Sequence, residues 1–191
     1  MFAYLKTIIL MKKVFNIFIN ILLIAFVAFW IGKYFYMKPK QSNGEDVTNF
    51  SAVTLQGQPF ELTDLRGQMV LLDFWGSWCG PCRKDNPELL KLYTTYRGAN
   101  YIGLKGFEIV SVGVEQDADR WEKAIYTDAI TWPYHILDQA TSLRFFDSPI
   151  AKQFGVKQIP TKYLINEHGK ILKVNPTIAE VEEKLIARLR N

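Results

Sequence analysis

Cysteine and histidine are scarce in this chain, with two of each among 191 residues. The histidines, His135 and His168, stand far from the cysteines and from each other. A tetrahedral zinc site draws its ligands from paired, closely spaced sets, so zinc binding loses its ground and no metal is expected. Acidic residues are missing from the first 40 positions, which carry Lys6, Lys12, Lys13, Lys33, Lys38 and Lys40. The remainder holds 17 basic and 19 acidic side chains, a net of −2, so the overall +4 comes from the N-terminal arm. That removes the basic surface a nucleic-acid partner would need. Internal repeats and low-complexity segments are also absent.

Charge of either sign is missing across residues 14–32, and the apolar run continues into Tyr34, Phe35 and Tyr36. At about 1.5 Å per residue this stretch spans the roughly 30 Å hydrocarbon layer of a membrane. A cleaved signal peptide has a shorter apolar core, about 7–15 residues, ahead of a small-x-small site. Here Ala25 and Ala28 lie inside the run, and its far end carries Trp30 and the aromatic trio, which suits an interfacial belt. An uncleaved single-pass anchor over 14–36 is therefore expected, behind a short tail, 1–13, with Met11 as a second potential start. The flanking lysines are tied, three against three. A short tail ahead of a first apolar segment ordinarily stays in the cytoplasm, which places the remainder on the outer side of the inner (cytoplasmic) membrane. Residues 37–46 (MKPKQSNGED) are polar and breaker-rich and read as a tether, with the globular part at 47–191. The sequon Asn49-Phe50-Ser51 is a three-residue match and carries no weight.

Both cysteines lie in VLLDFWGSWCGPCRKDN (70–86). The segment opens as a continuous apolar run, as in a strand buried on both faces. After Gly76 it reaches Trp78-Cys79-Gly80-Pro81-Cys82, and Pro81 falls where a first helical turn tolerates its missing N–H. The reading is strand, short turn and helix, with Cys79 at the helix N-terminus and Cys82 one turn further in. Unpaired N–H groups and the positive end of the helix dipole favour a thiolate at Cys79. Cys82 is near enough to attack a mixed disulfide formed there. A purely structural disulfide across two residues closes a tiny loop and adds little stability. The pair reads as a dithiol–disulfide exchange site, with no cofactor beyond the Cys79–Cys82 disulfide itself.

Asp73-Phe74-Trp75-Gly76-Ser77-Trp78-Cys79-Gly80-Pro81-Cys82 resembles the active-site segment of thioredoxins. Far downstream, Gly155-Val156-Lys157-Gln158-Ile159-Pro160-Thr161 is similar to the segment in which thioredoxins carry a cis-proline facing the dithiol. The front end differs from thioredoxin. Residues 50–55 and 59–62 read as a hairpin with Gly57 in its turn, followed by LTDLRGQ (62–68). That arrangement resembles the membrane-anchored thiol–disulfide reductases grouped as TlpA/ResA-like proteins. So do the 45 residues between Val114 and Pro160, where a helix at 119–129 and an extended segment at 132–138 form a central insertion. The resemblance spans 47–191. It implies a thioredoxin-like α/β fold with an N-terminal β-hairpin and a central βα insertion, preceded by one transmembrane helix. It further implies Cys79 and Cys82 as the catalytic pair, Trp78, Gly80 and Pro81 as tuning residues, and Ile159, Pro160 and Thr161 as the substrate-binding turn. The partners it implies are a protein disulfide substrate and a membrane thiol-transfer donor of the CcdA/DsbD type, with cytochrome c maturation as one use. A thiol oxidase and a noncatalytic peptide-binding module are the alternatives. Peroxidase chemistry is disfavoured because the similarity does not extend to the Thr-x-x-Cys nucleophile of peroxiredoxins.

Asp73 interrupts the apolar strand, and its carboxyl is expected beneath the dithiol, with a pKa raised by burial without a countercharge. Thioredoxins have an aspartate here that helps deprotonate the second cysteine, and a lysine on the next strand. The matching position on the strand at 107–114 is Ser111, so the acid is kept and the base is missing. That leaves Asp73 as a proton acceptor for Cys82 near neutral pH. The helix after Cys82 should run to about Arg97, kinked at Pro87, with a short helix over 150–154, a closing hairpin over 162–174 and a last helix over 178–189. Glu115 and Asp117 read as caps for the helix that follows them. His135 reads as an edge-strand residue, His168 as a solvated turn residue, and Phe74, Trp75 and Trp78 as core and rim packing.

Overall fold

The structure, a computed structural model, describes residues 2–143 and 146–190, with side chains from residue 11 onward. The chain divides into two compact units, Met1–Lys38 and Pro39–Asn191. The first is a single helix, α1 (Phe2–Met37). Its portion Met11–Met37 has a mean hydropathy of 2.5 and is long and apolar enough to cross a membrane. Large apolar side chains such as Phe15, Leu22, Ile24, Phe29 and Ile31 are exposed along it, the distribution a helix surrounded by hydrocarbon requires.

The second unit begins with a hairpin, β1 (Ser51–Val53) and β2 (Pro59–Glu61), paired antiparallel. Gly57 holds its turn at φ 77°, in the left-handed region that only glycine enters freely. A 3-10 turn, Leu62–Leu65, leads to β3 (Met69–Trp75). Then come α2 (Gly80–Tyr96), β4 (Phe107–Glu115), α3 (Ala118–Thr127), β5 (Tyr134–Gln139) and α4 (Pro149–Phe154). The chain closes with β6 (Thr161–Ile165), β7 (Ile171–Val174) and α5 (Ile178–Ile186). Five strands form one sheet in the order β5-β4-β3-β6-β7. β3 pairs parallel with β4, and β4 with β5, while β6 and β7 run antiparallel. A parallel pair needs a crossover, and α2 and α3 supply the two.

All seven residues of β3 are buried, as its continuous apolar run requires. Val70, Leu72 and Phe74 face one layer, where Phe50, Phe60, Phe154 and Tyr163 pack. Phe74 and Phe154 stand 5.2 Å apart there. Met69, Leu71 and Trp75 face the other, against Leu89 and Tyr93 of α2 and Val181 and Leu185 of α5. α2 continues through Pro87, and α5 ends at Ile186, short of Leu189, whose backbone bridges Tyr101 instead.

Two local features depart from the sequence reading. The stretch read as a tether is packed on the domain: Lys40 N–H donates to Phe154 O at 3.3 Å, and Gly44 N–H to Ile171 O at 2.7 Å. Gln41 is buried and accepts the Thr48 N–H at 3.1 Å. Polar composition allowed this docking because the bonds are made largely by backbone. The second feature is α4, whose N-cap Ser148 makes no side-chain cap. Asp138, buried at the far end of β5, accepts the N–H groups of Ile150 at 3.0 Å and Ala151 at 2.8 Å. A buried carboxylate is stabilised there by unpaired helix amides.

Gly113 fixes α3 against the sheet. A Cβ at this position would lie 2.2 Å from Trp121 Nε1, and Trp121 is itself 2% exposed. Gly113→Ala should lower stability by about 1–3 kcal/mol, since a packed indole has to move to admit it. Urea unfolding of the full chain in detergent, followed by circular dichroism, should show the lower midpoint with an unchanged slope.

Candidate active site

β3 ends at Trp75, and four residues later Cys79 is the N-cap of α2, with extended backbone at φ −87° and ψ 98°. Its sulfur accepts the Cys82 N–H at 3.2 Å. Pro81 occupies the first turn, where its missing donor costs nothing. The two cysteines form a disulfide, with Cα atoms 5.3 Å apart. On reduction, the helix amides and dipole favour a thiolate at Cys79. Cys79 is 5% exposed and Cys82 2%, so both are nearly buried in the disulfide form.

The loop before Cys79 is held from two sides. Trp78 Nε1 donates to Val114 O at 2.9 Å, and the Ser77 N–H donates to the Glu115 carboxylate. From the other side Ile159 closes in: a Cβ on Gly76 would lie 3.2 Å from Ile159 Cδ1 and 2.7 Å from Trp78 Nε1. The Ile159–Pro160 bond is cis. Thr161 opens β6 opposite Phe74, and its Oγ1 donates to Gln158 O at 2.8 Å, closing the turn. The two motifs, remote in sequence, therefore meet at the ends of β3 and β6. Trp78 also stands 6.2 Å from the ring of Phe146, in the segment between β5 and α4.

Asp73 is 2% exposed and sits opposite Ser111 on β4, the register read from the sequence. The expectation that it lacks a countercharge is corrected by β6, where its opposite neighbour is Lys162. Lys162 Nζ lies 3.6 Å from Asp73 Oδ1 and 2.6 Å from Asp85 Oδ2. The base comes from the antiparallel side of β3 instead of the parallel side, and the register of β6 is fixed by contacts far apart in sequence. Burial pushes the Asp73 carboxyl above the usual carboxylate range, Lys162 draws it back, and Asp85 adds to the rise. For Lys162 burial works against the charge, but Asp73 and Asp85 outweigh it and raise its pKa.

Lys162, Asp73, Ser111 and His135 form one buried row across β6, β3, β4 and β5. Ser111 Oγ accepts Trp132 Nε1 at 2.9 Å, and His135 stacks on Trp132 with centroids 5.7 Å apart. His135 lies on the edge strand, as read, and burial pushes its imidazole down to about 4, so it is neutral at pH 7. His168 is exposed in its turn. Asp117 caps α3 by accepting the Arg120 N–H at 3.0 Å. Glu115 does not cap that helix; its side chain points back to the active-site loop. Sequence reading also missed Asp128, the C-cap of α3. It accepts Arg83 Nε at 3.0 Å, Arg83 Nη2 at 2.5 Å and Asn86 Nδ2 at 2.8 Å, lashing the start of α2 to α3. Arg83 holds the Asp128 carboxyl below its ordinary range. Among the described residues no group of three or more His, Cys, Asp or Glu side chains is placed to hold a metal ion.

A disulfide at a helix N-terminus, beside a cis-proline turn at one end of a five-stranded mixed sheet, defines a thioredoxin-like thiol–disulfide oxidoreductase. The family model described as AhpC/TSA family matches residues 43–174, and the chain belongs to that family, among its ResA-like members. Thiol-disulfide oxidoreductase ResA of Bacillus thuringiensis subsp. konkukian is 31% identical over 182 residues, covering 92% of this chain and 97% of that protein. ResA of Bacillus subtilis is 32% identical over 169 residues, covering 86% and 87%. Among solved structures, the thioredoxin domain of a thiol-disulfide oxidoreductase from Bacteroides vulgatus superposes with a TM-score of 0.65 at 27% identity. It covers 76% of this chain and 99% of that one.

The raised pKa of Asp73 sets a stability profile. The folded protein holds that proton more tightly than the unfolded chain, so stability falls as pH rises from the ordinary carboxylate range through the native pKa. Lys162, raised from 10.5, contributes stability that is lost only at alkaline pH and does not touch this window. Asp73→Asn should therefore flatten the decline, with a shallower loss of urea midpoint between about pH 4 and 8 than wild type.

Proposed function

We propose that the protein reduces protein disulfides on the outer face of the cytoplasmic membrane, anchored through α1. The observation that carries the chemistry is the Cys79–Cys82 disulfide at the N-terminus of α2 beside the cis Ile159–Pro160 turn. In the reduced protein the Cys79 thiolate attacks one sulfur of the substrate disulfide. A Cys79–substrate mixed disulfide forms and one substrate thiolate leaves. Cys82 then attacks Cys79 Sγ, re-forms the internal disulfide and releases the second substrate thiolate, so two electrons pass to the substrate. Asp73, held between burial and Lys162, takes the Cys82 proton for that second attack. The backbone at Ile159–Thr161 pairs with the substrate chain as a short strand would, while Trp78, Gly80 and Pro81 set the reactivity of the pair. The pair itself carries the electrons, with no further cofactor. A membrane thiol-transfer protein of the CcdA/DsbD type restores them, and cytochrome c maturation is one pathway that uses such a reductant. The length and apolarity of α1 support the anchor.

The Gly80-Pro81 dipeptide supports the reducing direction, since thioredoxin, with the same dipeptide, lies near −270 mV against about −120 mV for the oxidant DsbA. Equilibration with glutathione should place this pair near the former value. A value near the latter would make the protein a thiol oxidase. In an insulin-reduction assay the wild type should turn over and Cys79→Ser should abolish that turnover; a wild type no more active than Cys79→Ser would leave the noncatalytic peptide-binding reading. In cells Cys82→Ser should accumulate mixed disulfides whose partners identify the substrates. A reporter fused after Asn191 that works only outside the cytoplasm should be active.

Asp73→Asn should leave the first attack by Cys79 intact and slow resolution by Cys82 about 10²-fold or more near neutral pH, the low end for a positioned proton acceptor. Stopped-flow release of a trapped mixed disulfide between pH 6 and 9 reads this. Equal rates in the two proteins would leave Asp73 a structural residue.

A further inference from the structure

Glu115 closes β4 directly behind the active-site loop and is 1% exposed. Its carboxylate accepts the N–H of Ser77, two residues before Cys79, and the carbonyl of Val114 accepts Trp78 Nε1. The last two residues of β4 thus hold the two residues that lead into the nucleophile. A clamp alone needs only an acceptor, and an uncharged side chain would provide it at lower cost in desolvation. A carboxylate at this place adds a charge against the amide two residues before the nearly buried Cys79. Burial pushes Glu115 above the usual carboxylate range, while the Ser77 N–H and Arg120 of α3 draw it back and Asp117 adds to the rise.

We propose that Glu115 is a positioning and tuning residue for the dithiol: through Ser77 it fixes the loop, and its negative charge opposes ionisation of Cys79. The proposal rests on Cys79 being the attacking sulfur. Two fields then act on that thiol. The N-terminus of α2 stabilises the thiolate, whereas a like charge in a poorly screened surrounding destabilises it. A thiolate that is less stabilised weakens the reduced form relative to the disulfide and makes the pair a stronger reductant; DsbA lies at the opposite extreme, with its reduced form stabilised. The other charges along this face are Asp73, Lys162 and Asp85, joined to one another, and Arg83, joined to Asp128. Replacing Glu115 alone leaves all of them in place.

Glu115→Gln separates the two parts of the role, because its amide oxygen still accepts the Ser77 N–H and only the charge is lost. In the reduced full-length protein in detergent, alkylation by iodoacetamide is followed from pH 5 to 9, and mass spectrometry identifies the cysteine modified. The Cys79 midpoint should fall by about one unit, and equilibrium with glutathione at pH 8 should shift several-fold toward the dithiol. Glu115→Asp, which retains the charge, should titrate near wild type. Glu115→Thr gives a second neutral side chain suited to a strand end, so the effect remains readable if the glutamine variant does not fold. Midpoints for the neutral variants indistinguishable from wild type would overturn the proposal and leave the reductase reading standing. Cys82 emerging as the faster-alkylated thiol would instead overturn the roles of the two cysteines, and this proposal with them.

Discussion

The sulfur of Cys79 ends an extended segment and begins a helix, and it accepts the amide of the residue one turn ahead at 3.2 Å. That contact can exist only if the helix axis is aimed by what lies behind it. β3 supplies the aim, buried on both faces and clamped between β4 and β6. The lash from Arg83 and Asn86 to Asp128 keeps the first turns of α2 in register with α3. The sheet, the crossover helices and the lash all serve the placement of one atom.

Under that helix the sheet is not uniformly apolar. Asp73, Lys162 and Asp85 form a chain of alternating charge that runs from nearly buried to part-exposed side chains. A buried pair contributes little net stability, but removal of one member leaves an uncompensated charge and costs about 3–5 kcal/mol. The row continues through Ser111 to a neutral His135, so the charged half of the row lies toward β6 and its proline turn, and the uncharged half toward the edge of the sheet.

Where the sequence was informative, the signal was local. Strand, turn and helix around Cys79 follow from an apolar run, a proline at the first helical turn and a three-residue spacing, all within 17 positions. The proline turn was legible only through a second motif of known type. Lys162 escaped because its partner is set by an antiparallel register that no neighbouring residue encodes. Glu115 escaped for a different reason. An acid at the end of a strand before a helix has an ordinary explanation as a cap, and Asp117, two residues on, takes that work. Asp138 likewise sits in a strand pattern that carries no sign of the helix it caps eleven residues later. The docking of residues 40–47 was hidden by composition, since backbone bonds need no particular side chain.

The central insertion has a consequence for how this fold can change. β5 adds an edge to the sheet, and its Asp138 holds the first amides of α4. α4 ends at Gly155, in a left-handed C-cap, and the chain then enters the turn at Ile159–Pro160. The turn beside the disulfide is thus tied to the inserted strand through α4, whose first amides Asp138 holds and whose Phe154 packs in the core. A deletion confined to β5 would therefore take away the Asp138 anchor of α4 along with one edge of the sheet, so the strand cannot be removed without loosening the start of the helix that leads to Pro160.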